Sequence, residues 1–180
     1  MTRKTVLTLI IGSMIAGLML EPVLAGKGKG GGGSTPVLTR IEIDDLLFMR
    51  EEEKLARDVY IALYEKWGTQ VFYNISLSEQ KHTDAVLGLI VKYGLDDPAS
   101  LDMGVFNDPY LQDLYDLLID MGMAGEFEAL QVGELIEVTD ITDIEECMKH
   151  TDKADILNVY GNLLDGSFNH LDAFLKNIEA

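Results

Sequence analysis

The chain is short of cysteine, of positive charge, of strand signals and of any apolar run long enough to cross a membrane. Cys147 is its only cysteine, which excludes an internal disulfide and the paired cysteines of a rubredoxin-type electron-transfer site. Only 14 of the 180 residues are lysine or arginine, against 31 aspartates and glutamates, for a formal charge of −17. With no basic patch, nucleic acid and anionic lipid are poor candidates for partners, and cations are better ones. Period-two alternation is nearly absent, which argues against a sheet. The longest apolar stretch, Val6 to Leu20, falls short of the ~20 residues a membrane span needs.

That stretch follows Arg3 and Lys4 and precedes Val23-Leu24-Ala25, so residues 1–25 read as a secretory signal cleaved after Ala25. The expected location is extracellular or in the cell-envelope space, with no stable membrane insertion after processing. Cleavage removes two basic residues and one acidic residue and leaves a charge of −18. Residues 26–40 open with GKGKGGGGS, six of nine residues glycine, and read as a flexible linker. Residues 41–180 make one domain, long enough for a single core.

Helical periodicity dominates that domain. A first helix is expected from about Ile41 to Trp67, ended by Gly68. Its seam is Leu46, Met49, Glu53, Ala56, Tyr60, Leu63 and Trp67. The neighbouring Glu51, Glu52, Lys54, Arg57 and Asp58 read as a solvated face. A second helix, from about Thr69 to Tyr93, stops at Gly94. Asp108-Pro109 starts a short helix that ends at Gly122. A third long element begins near Gly125, and the weak stretch Val138-Thr139-Asp140 leaves room for a kink or a new cap near Asp140. The last helix runs from about Asp152 to Ile178, with Ile156, Val159/Tyr160, Leu163, Ser167, His170, Phe174 and Ile178 on its seam. The expected fold is an all-α antiparallel four-helix bundle with a short extra helix between the second and third long helices. An irregular all-helical domain is the alternative.

Polar residues interrupt these seams at few places. Glu79 and His82 form a Glu-x-x-His on the apolar face of the second helix, three residues apart and so stacked one above the other. His170 interrupts the fourth seam, Glu53 the first and Glu137 the third. Unpaired buried carboxylates cost several kcal/mol each and repel one another. A cation removes both penalties. The candidate metal ligands are therefore Glu53, Glu79, His82, Glu137 and His170, with Glu134 as a possible additional ligand. Such a carboxylate-rich set suits iron or manganese, with zinc possible. Tyr60, Tyr160 and Ser167 stand on the same seams as candidate neighbours of the ligands. His150, in a polar connection, reads as solvated.

Four blocks carry a family resemblance: Glu51 to Tyr60 (EEEKLARDVY), Ser78 to His82 (SEQKH), Val132 to Glu137 (VGELIE) and Asn162 to Leu171 (NLLDGSFNHL). In combination, over about Ile43 to Phe174, they resemble an uncharacterised ferritin-like domain family of archaea and bacteria. The resemblance implies a ferritin-like fold and a dimetal centre, with two irons the expected cofactor, and implies no particular reaction. Carboxylate-bridged dimetal bundles draw one Glu from each of two helices and a Glu-x-x-His from each of the other two. Here Ser167 stands where the second such glutamate belongs, so one carboxylate is missing. The expected function is a metal centre that oxidises Fe(II) with oxygen or peroxide. The alternative is a non-catalytic metal-binding or structural helical module. A dimer is compatible with the sequence, which does not specify an oligomeric state.

Overall fold

A computed structural model describes residues 37–180. The expected signal segment and most of the expected linker lie outside the described residues. Those residues form five α-helices and no strand: α1 (Arg40–Trp67), α2 (Gln70–Tyr93), α3 (Pro109–Gly122), α4 (Glu126–Cys147) and α5 (Ala154–Ile178). A one-turn 3-10 segment, Met148–His150, links α4 to α5. No helix among the described residues is long and apolar enough to cross a membrane.

Local chemistry sets the boundaries. Thr39 caps α1, and its side chain and that of Glu42 form a reciprocal capping box. Gly68 and Gly94 end α1 and α2 at φ of 73° and 71°, left-handed conformations that cost glycine little. Asp108 accepts from the amides of Tyr110 and Leu111, and Pro109 begins α3. The one departure is α4, which runs unbroken through Val138-Thr139-Asp140. Thr139 and Thr142 satisfy their hydroxyls on carbonyls four residues back, and Asp140 is buried inside the protein instead of capping a new helix.

Helix α1 packs against α2, α4 against α5, and contacts of α1 with α4 and of α2 with α5 complete the interior; α3 lies across α1 and α4. The long helices share a layered order. At one end Leu46, Met49, Val86, Leu89, Ile90, Ile144, Ile156, Tyr160 and Leu163 form an apolar cluster. At the other, the rings of Tyr60, Phe72 and Phe174 lie 5.2–6.3 Å apart. Gly133 belongs to this second layer because a Cβ there would lie 2.4 Å from the Phe174 ring. Polar residues from all four helices occupy the space between.

The reading of Glu51, Glu52, Lys54 and Asp58 as a solvated face is wrong: all four are buried. Glu51, Lys54 and Asp58 have partners in the 95–107 connection and at the start of α3. Glu51 accepts from the amides of Asn107 (2.7 Å) and Asp108 (2.9 Å). Lys54 Nζ donates to Asp58 (2.6 Å) and to the carbonyls of Asp102 (3.0 Å) and Val105 (3.2 Å), and lies over the Phe106 ring. Asp58 also accepts from the Gly104 amide and from Arg57. Arg50 grips Asp97 with two hydrogen bonds. A loop without secondary structure is thereby tied to one face of α1. His150 is likewise not simply solvated, since its Nδ1 lies 2.9 Å from Asp45.

Glu42 joins the start of α1 to the start of α5. Burial raises its pKa, but Lys153, Thr151 and Thr39 together hold the carboxyl down at about 2. The carboxylate form is thus favoured in the folded state. Its contribution is present above the ordinary value near 4.5 and is lost as pH falls toward 2. Glu42→Gln is expected to cost about 2 kcal/mol at pH 7. The deficit relative to wild type should shrink between pH 4.5 and 2, as followed by urea denaturation at each pH.

Candidate metal centre

The polar layer is built by one or two residues from each long helix. Glu53 comes from α1, Glu79 and His82 from α2, Glu137 and Asp140 from α4, and Ser167 and His170 from α5. The helical spacings explain the convergence. Glu79 and His82, Glu137 and Asp140, and Ser167 and His170 are each one turn apart on an inward face.

Glu79 is the hub. Its two oxygens lie 2.8 Å from His82 Nδ1 and 2.7 Å from His170 Nδ1. His82 Nδ1 is also 3.2 Å from Glu53, and His170 Nδ1 is 3.5 Å from Glu137. The two imidazole rings stack with centroids 5.4 Å apart. Tyr60 donates to Glu137 at 2.6 Å, which fixes that carboxylate from the aromatic layer. Among the described residues, ligand atoms of Glu79, His82 and His170 all fall within 4.8 Å of one another.

The electrostatics reflect this crowding. Burial raises the Glu79 carboxyl, but His170 and His82 outweigh it and hold Glu79 well below the ordinary range. Burial lifts Glu53 and Glu137, with repulsion from Glu79 adding to both. Burial lowers both histidines, yet their carboxylate partners win and raise His82 to about 11 and His170 to about 9. The two imidazolium rings are the cations of the metal-free interior.

These groups fit a transition-metal ion. Carboxylate oxygens and imidazole nitrogens are the donors that iron, manganese and zinc share. Despite its short distance to Glu79, His170 Nδ1 has no well-directed hydrogen bond, and neither does Glu53 Oε1. Buried polar atoms without a partner are uncommon and costly. A bound ion is one way to satisfy such atoms.

Of the remaining candidates, Ser167 is buried and donates its hydroxyl to Asp140 Oδ2. Glu134 is half-buried and forms no ion pair with either histidine. Tyr160 lies in the apolar cluster and not beside the histidines; its hydroxyl is buried without a partner. Two residues of the layer escaped the periodicity. Asp140 sits one turn after Glu137 on the same face, and its low helix propensity disguised it as a cap. Gly166 makes room for His82: a Cβ there would lie 2.5 Å from His82 Nε2. A glycine inside a helix next to a seam histidine was the available signal.

Gly166→Ala therefore sets a helix-propensity gain of about 1 kcal/mol against displacement of the imidazole. Helix content by circular dichroism should be unchanged. Zinc affinity, measured by competition with a chromophoric chelator, should fall by about tenfold or more.

An all-helical protein whose interior gathers carboxylates and two histidines is thus the class that fold and site define. The chain belongs to the family described as an uncharacterised protein domain, DUF2202, which matches residues 42–180. It is similar to the uncharacterised protein MJ0754 of Methanocaldococcus jannaschii, with 50% identity over 136 residues, 75% of this chain and 74% of that protein. The crystal structure of that hypothetical protein superposes with a TM-score of 0.78 at 44% identity, covering 83% of this chain and 86% of the other. A DUF305 fragment from Deinococcus radiodurans shares the fold alone, with a TM-score of 0.60 at 11% identity over 80% of this chain and 99% of the fragment.

Proposed function

We propose that this protein is an exported, ferritin-like metal protein whose centre holds two iron ions and oxidises Fe(II) with oxygen or peroxide. In this reading α1, α2, α4 and α5 form an antiparallel four-helix bundle and α3 is the extra helix. Glu53, Glu79, His82, Glu137 and His170 are the ligands. The observation that carries the proposal is the convergence of Glu79, His82 and His170 within 4.8 Å in a buried interior, flanked by further carboxylates. Export rests on the character of residues 1–25.

Iron held here would supply a one-electron change between its ferrous and ferric states. The chain's residues do the rest. Glu53, Glu79 and Glu137 provide anionic oxygens that favour the higher charge. His82 and His170 give up their protons on ligation, so loading is an exchange of protons for metal. Tyr60 orients Glu137 through its hydroxyl. The apolar cluster and the aromatic layer keep bulk water from both ends of the site.

The test is anaerobic reconstitution with Fe(II) followed by oxygen or peroxide. Two irons per chain, oxidised in wild type and not in Glu53→Ala, are expected. Metal bound without oxidation would assign the protein to metal binding without turnover. No metal bound by a correctly folded chain would leave a structural helical module.

A further inference from the structure

We propose that the face formed by the 95–107 connection and α3 is a docking surface for a cationic, amphipathic segment of another protein.

Between Lys92 and Lys149 the chain has no lysine, arginine or histidine, and it has 15 aspartates and glutamates. The connection, α3 and α4 all fall in this stretch. On α3, Asp113, Asp116 and Asp120 are exposed. They recur at spacings of three and four, so they form one ridge along the helix. The ion pairs that lysine and arginine make among the described residues do not involve these three carboxylates.

Apolar side chains border the ridge on both sides. Leu117 lies one turn from Asp113 and Asp120, and Tyr110 one turn from Asp113. They are 44% and 39% exposed. On the other side the connection is fastened to α3 by Gln112. That side chain accepts from the Phe106 amide at 3.0 Å and donates to the Gly104 carbonyl at 3.1 Å and to Asp116 at 3.2 Å. Beside it Met103 and Val105 are 49% and 44% exposed, and Leu101 is fully exposed. These three alternate with Asp102, Gly104 and Phe106, whose backbone groups are held by Lys54, Asp58 and Gln112. The apolar residues are thus presented outward by a connection whose backbone is fixed. Adjoining apolar side chains held at a surface mark an interaction site.

Charge selects the occupant. A symmetric second copy would set the acidic ridge against itself, and an anionic lipid surface would be repelled in the same way. A free cation gains nothing from the apolar strips. A protein segment that carries lysine or arginine between apolar side chains matches both parts: its cations meet the ridge and its apolar groups cover the strips. The formal charge of −17 steers such a partner inward from a distance.

The experiment mixes the full chain with a synthetic amphipathic helix of leucine and lysine. Binding is followed by fluorescence anisotropy of the labelled peptide and located by amide chemical shifts. Saturable binding is expected, with the shifts concentrated at 101–105 and 110–121. A peptide of lysine alone should bind at least about tenfold more weakly. Leu117→Ser, Met103→Ser and the triple change Asp113→Asn, Asp116→Asn, Asp120→Asn should each weaken the amphipathic peptide by about tenfold. The triple variant should also flatten the salt dependence. Neutralising Asp165 and Asp172 on α5 to asparagine should leave binding unchanged. Circular dichroism checks each fold, and any one folded variant carries the test. Unchanged binding in the folded variants overturns the docking surface, and so does an equal loss in the α5 control, which would reduce the effect to net charge. Two other results also overturn it by giving the face a different occupant. One is a dimer of the chain alone, seen by sedimentation and lost in Leu117→Ser. The other is adsorption to phosphatidylcholine vesicles lost in the same variant.

Discussion

Glu79→Ala is expected to abolish the proposed metal binding, with affinity falling by more than about 100-fold, and also to destabilise the metal-free protein. Both effects come from one side chain. Glu79 offers the oxygens nearest to both histidines, at 2.8 and 2.7 Å, so its removal leaves no atom common to His82 and His170. In the metal-free protein those rings are cationic and stacked 5.4 Å apart. Without the carboxylate between them they repel in a buried setting, and breaking such an arrangement costs about 3–5 kcal/mol. Lowering the pH should erode wild type in the same direction. Glu79 sits below its ordinary pKa, so its contribution is present above about 4.5 and is lost as pH falls below it. Isothermal titration with zinc and urea denaturation of the metal-free protein measure the two effects separately. A variant that binds zinc like wild type would remove Glu79 from the site.

Lys54→Met is expected to destabilise the protein by about 3–5 kcal/mol without touching the metal centre. Lys54 and Asp58 are 2% and 0% exposed, and Lys54 Nζ satisfies Asp58 and two loop carbonyls at once. Its loss leaves Asp58 with only Arg57 to balance its charge and orphans the carbonyls of Asp102 and Val105. Adding Asp58→Asn should cost less than in the wild-type background, because the buried charge is the liability once the lysine is gone. Urea denaturation of the four proteins measures the coupling. Additive losses would show that the pair is not a unit.

The seams of α1, α2 and α5 were legible because apolar residues recur at spacings of three and four and their few polar interruptions are informative. Glu53, Glu79, His82 and His170 stand out for that reason. Glu51, Glu52, Lys54 and Asp58 were not legible. A charged residue beside a seam is normally solvated, and for Glu51, Lys54 and Asp58 the partners include backbone groups of a loop that carries no periodic signal. Asp140 failed differently. After Val138 and Thr139 an aspartate looks like a helix start, but burial on the face of Glu137 overrides propensity. Ser167 was legible as a departure from the dimetal pattern, yet its bond to Asp140 depends on the contact between α4 and α5, which one sequence does not reveal.

Residues 51–54 finally make α1 a keyed shaft. Successive residues on a helix are turned by about 100°, and three of these reach to different places: Glu51 to the amides of Asn107 and Asp108, Glu53 to His82, and Lys54 to the carbonyls of Asp102 and Val105. A helix held by an apolar stripe alone can slide or roll by a residue and find new grooves. This one cannot, because a one-residue shift unlocks these contacts together. Single-residue insertions between Glu42 and Glu51 should therefore be far more damaging than insertions in the turn at Gly68, although both lie outside the candidate metal centre.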